Sequence, residues 1–288
     1  MLNAIKNLLK SDKRFLFGFV VILILLFFAI LSFFSPFDTR AWNVFPRDLP
    51  PSFENPLGTN SMGQDIFWRA TEAIKNSIIM GLVAALVSRV IAITIGLTAG
   101  YRGGLADRIL MTINDSFVII PLFPVLILIA AIMRQWLNVF TLGLILGLFT
   151  WPWDARVLRS QILSLREREF TYTAVLSGIR PFRLMLREYL PFVIPLILAT
   201  ALNNLIFVIG MEMALAFLGL VSLSMPTLGT MIYWAVRYQA MFLGIWNWIL
   251  TPVIICVFLI LSLYMMSISI SEFLDPRMRL QRIKAMKE

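Results

Sequence analysis

The 288-residue sequence contains no histidine and a single cysteine, Cys256. Without histidine, a Cys/His metal cluster, an imidazole proton relay and a histidine-based triad are all excluded. One cysteine cannot close an internal disulfide, and it says nothing of the redox compartment. Charge is also scarce. Only 14% of residues are Asp, Glu, Lys or Arg, against about 25% in an ordinary soluble domain. No G-x-x-x-x-G-K-[ST] loop occurs, so the chain has no such cradle for the phosphates of ATP. Internal repeats and low-complexity tracts are missing as well.

What remains is apolar. Hydrophobic residues make up 59% of the chain and the mean hydropathy is +0.85. Several runs are long enough to cross a hydrocarbon core of about 30 Å. The expected class is an all-α integral membrane protein. A net charge of +9 could suggest nucleic acid, but the Lys and Arg residues sit beside the apolar runs, as membrane topology places them. Lys6, Lys10, Lys13 and Arg14 precede the run from Phe15 to Phe34. That run is longer than a signal-peptide core and no small-x-small site follows it, so it reads as a first spanning helix.

Six spans are expected, at 15–35, 77–101, 109–133, 138–153, 192–218 and 249–270. Pro121 and Pro124 interrupt the third and the fourth is short. With both termini on the cytoplasmic side, Lys and Arg favour that side by roughly three to one, which supports the topology. The outer set includes Arg134 and the inner set the tail from Arg277 to Lys287. The loop 36–76 carries five acids, Asp38, Asp48, Glu54, Asp65 and Glu72. The stretch 219–248 holds Tyr233, Trp234, Tyr238, Trp246 and Trp248, which suit a headgroup-level belt or a re-entrant segment.

Residues 156–187 form a basic, partly apolar segment on the expected cytoplasmic side. Helical periodicity runs from Leu158 to Arg168, and a short helix follows from Phe170 to Ser177. Gly178 suits a helix C-cap and Pro181 a first turn. Phe182, Met185, Leu186 and Tyr189 then make an apolar stripe. The segment is an elbow that either lies on anionic lipid or docks on another protein.

In the second span Gly81, Ala85, Ser88, Ala92, Gly96 and Gly100 form a small-residue stripe, suited to close packing within this subunit or on a partner. Arg89 lies mid-span. Its insertion costs at least about 2.5–3.5 kcal/mol unless it is paired. It either lines a translocation path or forms a structural pair, with Glu212 and Asp115 as candidate partners. Asn114, Asp115, Asn203 and Asn204 are further polar residues near spans, candidates for the path or for packing, and Glu212, in an apolar run, is a candidate intramembrane charge that could carry a proton or cation.

Five motifs resemble one known family. Arg166-Glu-Arg-Glu-Phe-Thr-Tyr-Thr-Ala-Val-Leu-Ser-Gly178, followed by Tyr189-Leu-Pro, is similar to R-E-R-E-Y-V-E-A-A-R-A-L-G and I-L-P in permeases of binding-protein-dependent ABC importers, dipeptide/oligopeptide/nickel branch. Tyr172 and Thr173 depart from the E-A of that pattern. Pro56-Leu-Gly-Thr-Asn-Ser-Met-Gly-Gln-Asp65 resembles P-L-G-T-D-x-x-G-R-D, departing at Asn60 and Gln64. Ala99–Arg108, Glu212–Leu220 and Phe273–Arg279 resemble A-G-Y-x-G-G-x-x-D-R, E-A-A-L-S-F-L-G-L and L-D-P-R-L-R.

The resemblance implies a type I importer transmembrane domain of about six helices. It would comprise an N-terminal part at 1–76 and a permease core at 77–288, with a coupling loop at 156–187. It implies that Tyr172, Thr173, Ala174, Gly178, Ile179, Arg180 and Pro181 dock on an ATPase, and that Glu212 sits at a helix–scaffold junction. It implies a non-enzymatic subunit in a prokaryotic inner membrane, holding no cofactor or metal of its own, with ATP and Mg on partner chains. The implied partners are a second permease, two cytoplasmic ATPases and an extracytoplasmic solute-binding protein, for which the acidic 36–76 loop is the expected docking surface. The cargo would be short peptides, or alternatively oligosaccharides or nickel complexes. An ion-driven secondary transporter would show inverted repeats and several intramembrane acids, and a membrane enzyme would show a nucleophile–base set. Neither pattern is evident in the sequence.

Overall fold

A computed structural model describes residues 8–9, 12–133 and 136–274. Lys6, Lys10, Arg134, the charges from Arg277 to Lys287 and most of the Phe273–Arg279 motif lie outside them. Among the described residues the protein is helical, with one isolated antiparallel bridge between Thr59 and Asp65.

Helix α1, Lys13–Leu31, is capped by the Asp12 side chain, which accepts from the Arg14 N–H at 2.9 Å. Helix α2, Ile66–Arg102, has 37 residues, about 55 Å of rise. It begins eleven residues before the expected span. Charges at Arg69, Glu72 and Lys75 make that turn look like loop. The preceding loop folds over it and bonds to two of them: Arg69 donates to the Thr39 carbonyl at 2.7 Å, and Glu72 accepts from Arg40 and from Thr39.

The expected third span is a bent pair, α3 Gly104–Ile119 and α4 Leu122–Ile132, with axes 75° apart. Ile120 is extended (ψ 123), as the residue before a proline prefers, and Pro121 cannot donate to continue α3. The fourth span is interrupted too. Helix α5, Val139–Thr150, has 12 residues, about 18 Å. The chain then restarts at Pro152 as α6, Pro152–Arg166. Among the described residues four helices are therefore long and apolar enough to span a membrane, or five if the bent pair counts as one, where the sequence suggested six.

After a short helix α7, Glu169–Leu176, comes α8, Pro181–Phe217. The elbow's second arm and the fifth expected span are thus one helix. A π-helical turn at Met185–Tyr189 joins them, ending one residue short of Pro191, whose missing N–H would leave an α register one bond short. Helix α9, Leu228–Arg237, starts with a capping box from Thr227 and Thr230. Helix α10, Trp246–Leu274, completes the order.

The core is built around α2. Its small-residue stripe lets α6 approach, and the stripe packs within this subunit. A Cβ on Gly96 would fall 2.9 Å from the Ala155 carbonyl oxygen, and one on Gly100 would fall 2.8 Å from Ile162 Cβ. Helices α1, α9 and α10 cover the other end of α2, with Trp248 fully buried. The aromatics of 219–248 are accordingly not all a headgroup belt. Trp234 packs edge-on against Trp42 and donates Nε1–H to the Leu223 carbonyl at 3.0 Å, and Tyr238 tilts onto Trp248.

Candidate functional sites: the elbow and the buried charges

The elbow is held from inside by its own hydrogen bonds. The α7 C-terminus forms a Schellman cap: the Gly178 N–H reaches the Val175 carbonyl (3.0 Å) and the Ile179 N–H the Ala174 carbonyl (3.1 Å). Gly178 has φ +72 with nothing within 4 Å of a hypothetical Cβ. Backbone handedness, not space, therefore selects glycine there. Ala174, Leu184 and Tyr189 are buried in one cluster with Leu158 and Ile162 of α6. The Tyr189 hydroxyl donates to Thr171 Oγ1 at 3.2 Å, and Thr171 donates to the Leu165 carbonyl at 2.9 Å.

Those contacts split the expected docking set. Ala174 is buried and Ile179 half-buried against the chain's own core. Tyr172, Thr173, Gly178, Arg180 and Pro181 are exposed. Of the apolar stripe, Met185 and Tyr189 turn inward and Phe182 and Leu186 outward. Tyr172, Val175, Leu176 and Phe182 leave an apolar surface, with Leu176 at 88% exposure. A cavity of about 610 Å3 lies at its foot, with Tyr101, Arg102, Arg166 and Glu167 in its wall.

Three arginines of α6 tie the elbow's base to α2 and α3. Arg159 grips Asp107 with two bonds of 2.5 and 2.6 Å, which raises the guanidinium's proton affinity above its ordinary value. Arg156 reaches Asn114 (3.0 Å) and Asp115 (2.6 Å), and Arg166 contacts the Tyr101 carbonyl. Asp115 is thus the partner of Arg156, not of Arg89.

Arg89 is buried and pairs with Asp154, while its Nη1 donates to Thr200 Oγ1 at 2.5 Å and its Nη2 to Ser88 Oγ at 3.2 Å. Neither candidate partner read from the sequence is used. Asp154 lies one residue past the end of the expected fourth span, outside the apolar run, so the sequence does not mark it as an intramembrane acid. The restart at Pro152 places it in the first turn of α6, where a carboxylate also suits the helix N-terminus. Glu212 lies elsewhere on α8, fully buried against the N-terminus of α9, where it accepts from Thr227 Oγ1 at 2.5 Å.

The loop before α2 is a compact knot that buries Asp65 and Glu72 and leaves Asp38, Asp48 and Glu54 exposed. Asp65 caps α2 through the Trp68 N–H (2.8 Å) and accepts from Asn55 (2.7 Å), and Asp48 accepts from Ser61 (2.6 Å). Asn60 and Gln64, the two departures from the family's Asp and Arg, are hydrogen-bonded to each other at 3.1 Å. Asn60 Oδ1 also accepts the Met62 and Gln64 N–H groups. An amide pair occupies the place where the pattern has opposite charges.

Comparison with known proteins agrees with these landmarks. Residues 92–280 match the family model "Binding-protein-dependent transport system inner membrane component". The oligopeptide transport system permease protein OppC of Bacillus subtilis (strain 168) is 29% identical over 224 residues, covering 77% of this chain and 73% of that protein. The dipeptide transport system permease protein DppC of the same organism is 29% identical over 213 residues, covering 74% and 66%. OppC of Lactococcus lactis subsp. cremoris (strain SK11) is 28% identical over 283 residues, covering 96% and 95%.

Proposed function

The chain belongs to the family of binding-protein-dependent transport system inner membrane components, and on that premise we propose that it is one permease subunit of an ATP-driven importer of short peptides. It is a multi-pass protein of a prokaryotic inner membrane, working in a complex with other transporter subunits. The proposed complex has a second permease, two cytoplasmic ATPases that bind ATP and Mg, and an extracytoplasmic solute-binding protein. ATP hydrolysis belongs to the ATPases, and this chain transmits force.

The observation that carries this reading is the elbow. It combines a rigid two-armed turn, locked to α6 through Tyr189 and Thr171, with an outward apolar face at Tyr172, Val175 and Leu176. Such a face, backed by a packed core, moves as a unit when pushed and so can switch the helices attached to it. The arm from Pro181 continues without a loop into α8, so displacement of the elbow acts directly on a long helix. The cargo is read from the oligopeptide and dipeptide permeases to which the chain is similar. The test is uptake of labelled short peptides by the reconstituted complex. Uptake that needs both ATP and the binding protein is expected. Uptake that continues after ATP depletion would overturn the proposal.

A further inference from the structure

Beside the Arg89–Asp154 pair a half-open cavity of about 380 Å3 lies where two interruptions of the helices meet α8. Ile120 and Leu122 of the α3–α4 bend, Thr150 and Asp154 of the α5–α6 junction, and Thr200 and Asn204 of α8 contribute to its wall. Aromatic rings of Phe117, Phe149, Trp153 and Phe207 complete it. Two properties set it apart from an ordinary lipid-facing crevice.

The first is unmet hydrogen bonding. Asn204 is 6% exposed and its Oδ1 has no partner, and Thr150 Oγ1 is likewise buried without one. Buried polar atoms without partners are uncommon and unfavourable, so two on one cavity wall point to a ligand that supplies the missing bonds. The second is charge balance. Asp154 is neutralised by Arg89, which is itself engaged by Thr200. The wall therefore offers hydrogen bonds without net charge. The apolar groove along Met213, Cys256 and Val257 has no such groups.

We propose that this cavity receives the main-chain amides of the transported peptide, with Asn204 and Thr150 as its hydrogen-bonding groups; the inference rests on the peptide-importer reading. A peptide unit has one N–H and one C=O, and a carboxamide and a hydroxyl complement both. Every peptide carries these groups whatever its sequence. The neutral, ring-lined wall accommodates apolar side chains and does not select by charge. A phosphate or a bare metal cation would need an uncompensated charge, and the charges of Arg89 and Asp154 already balance each other.

The experiment uses the complete importer in proteoliposomes with its binding protein, supplied with short peptides bearing p-benzoylphenylalanine. On illumination during turnover, labels are expected within 149–154 and 200–207. Labels confined to other helices would overturn the proposal. In parallel, Asn204→Leu and Thr150→Val are each expected to lower peptide uptake about tenfold, with ATP hydrolysis still stimulated by the binding protein. Full uptake in both variants would also overturn it, and the labelling of the unaltered complex decides the matter if a variant does not fold. If the unaltered complex hydrolyses ATP on adding binding protein but takes up no peptide, the peptide-importer reading fails instead.

Discussion

Removing the Asp154 carboxylate should leave Arg89 charged with only hydroxyl partners. Their side chains are 10% and 8% exposed, so solvent screens the pair little. Breaking a buried pair by deleting one partner costs about 3–5 kcal/mol. The cost of an unpaired arginine mid-span is about 2.5–3.5 kcal/mol on insertion scales. Thr200 and Ser88 keep their bonds to the guanidinium, which favours the lower end, about 3 kcal/mol. At ~2–4 °C per kcal/mol for a chain of this size, Asp154→Ala should lower the melting temperature by about 6–12 °C. Arg89→Met with Asp154→Leu removes both charges and should recover most of that loss. The assay is thermal unfolding of the purified complex in detergent, run as a double-mutant cycle whose single changes are Arg89→Met and Asp154→Leu. Additive effects of the two single changes would refute the pairing. So would a loss below about 1 kcal/mol in Asp154→Ala, the size expected of a weakly coupled, exposed pair.

Other outcomes follow from the same contacts. Gly178→Val should strain the cap by about 1–2 kcal/mol without any clash and lower transport per ATP hydrolysed, whereas Gly178→Asn should be better tolerated; equal coupling in both would contradict the handedness argument. Gly96→Leu must displace the Ala155 backbone and should cost at least about 1–3 kcal/mol, read as lost membrane expression; normal expression and stability would show that α2 and α6 are not so tightly packed. Asn60→Asp alone puts an acid beside a neutral amide in a fully buried site, and Gln64→Arg added to it should restore stability by re-forming an ion pair. No rescue in that double variant would mean that the two positions do not interact. Asp107→Asn should loosen α3 from Arg159 by about 1 kcal/mol, the grip being partly solvent-exposed, and less so as salt rises; an effect that grew with salt would contradict an electrostatic latch.

The elbow was legible because turn chemistry is local. Gly178 and Pro181 fix a break through φ preferences that need no tertiary context, and the short helix before them ends as those residues dictate. Family pattern added the meaning of the turn. Helix lengths were less legible. Polar residues at the start of α2 look like loop until the loop that bonds to Arg69 and Glu72 is folded over them. The bend at Pro121 and the restart at Pro152 were visible as prolines, but a sequence does not say whether a proline kinks a span or divides it. Pairing was least legible. Arg89 demanded a partner, yet the choice among acids depends on which turn of α6 faces α2. Close approach at Gly96 and Gly100 decides that. The Asn60–Gln64 contact could have been suspected, because both residues departed from one pattern together.

The central claim is that the elbow docks on an ATPase. Leu176, 88% exposed on its apolar face, is the position to probe. Cysteine can be placed there as Leu176→Cys, in a Cys256→Ser background that removes the only native thiol. Bifunctional crosslinking in membranes containing the assembled complex should then join this chain to an ATPase subunit, with a yield that changes on adding ATP. Crosslinks to lipid-facing surfaces of neighbouring permeases, with none to an ATPase under any nucleotide condition, would contradict it.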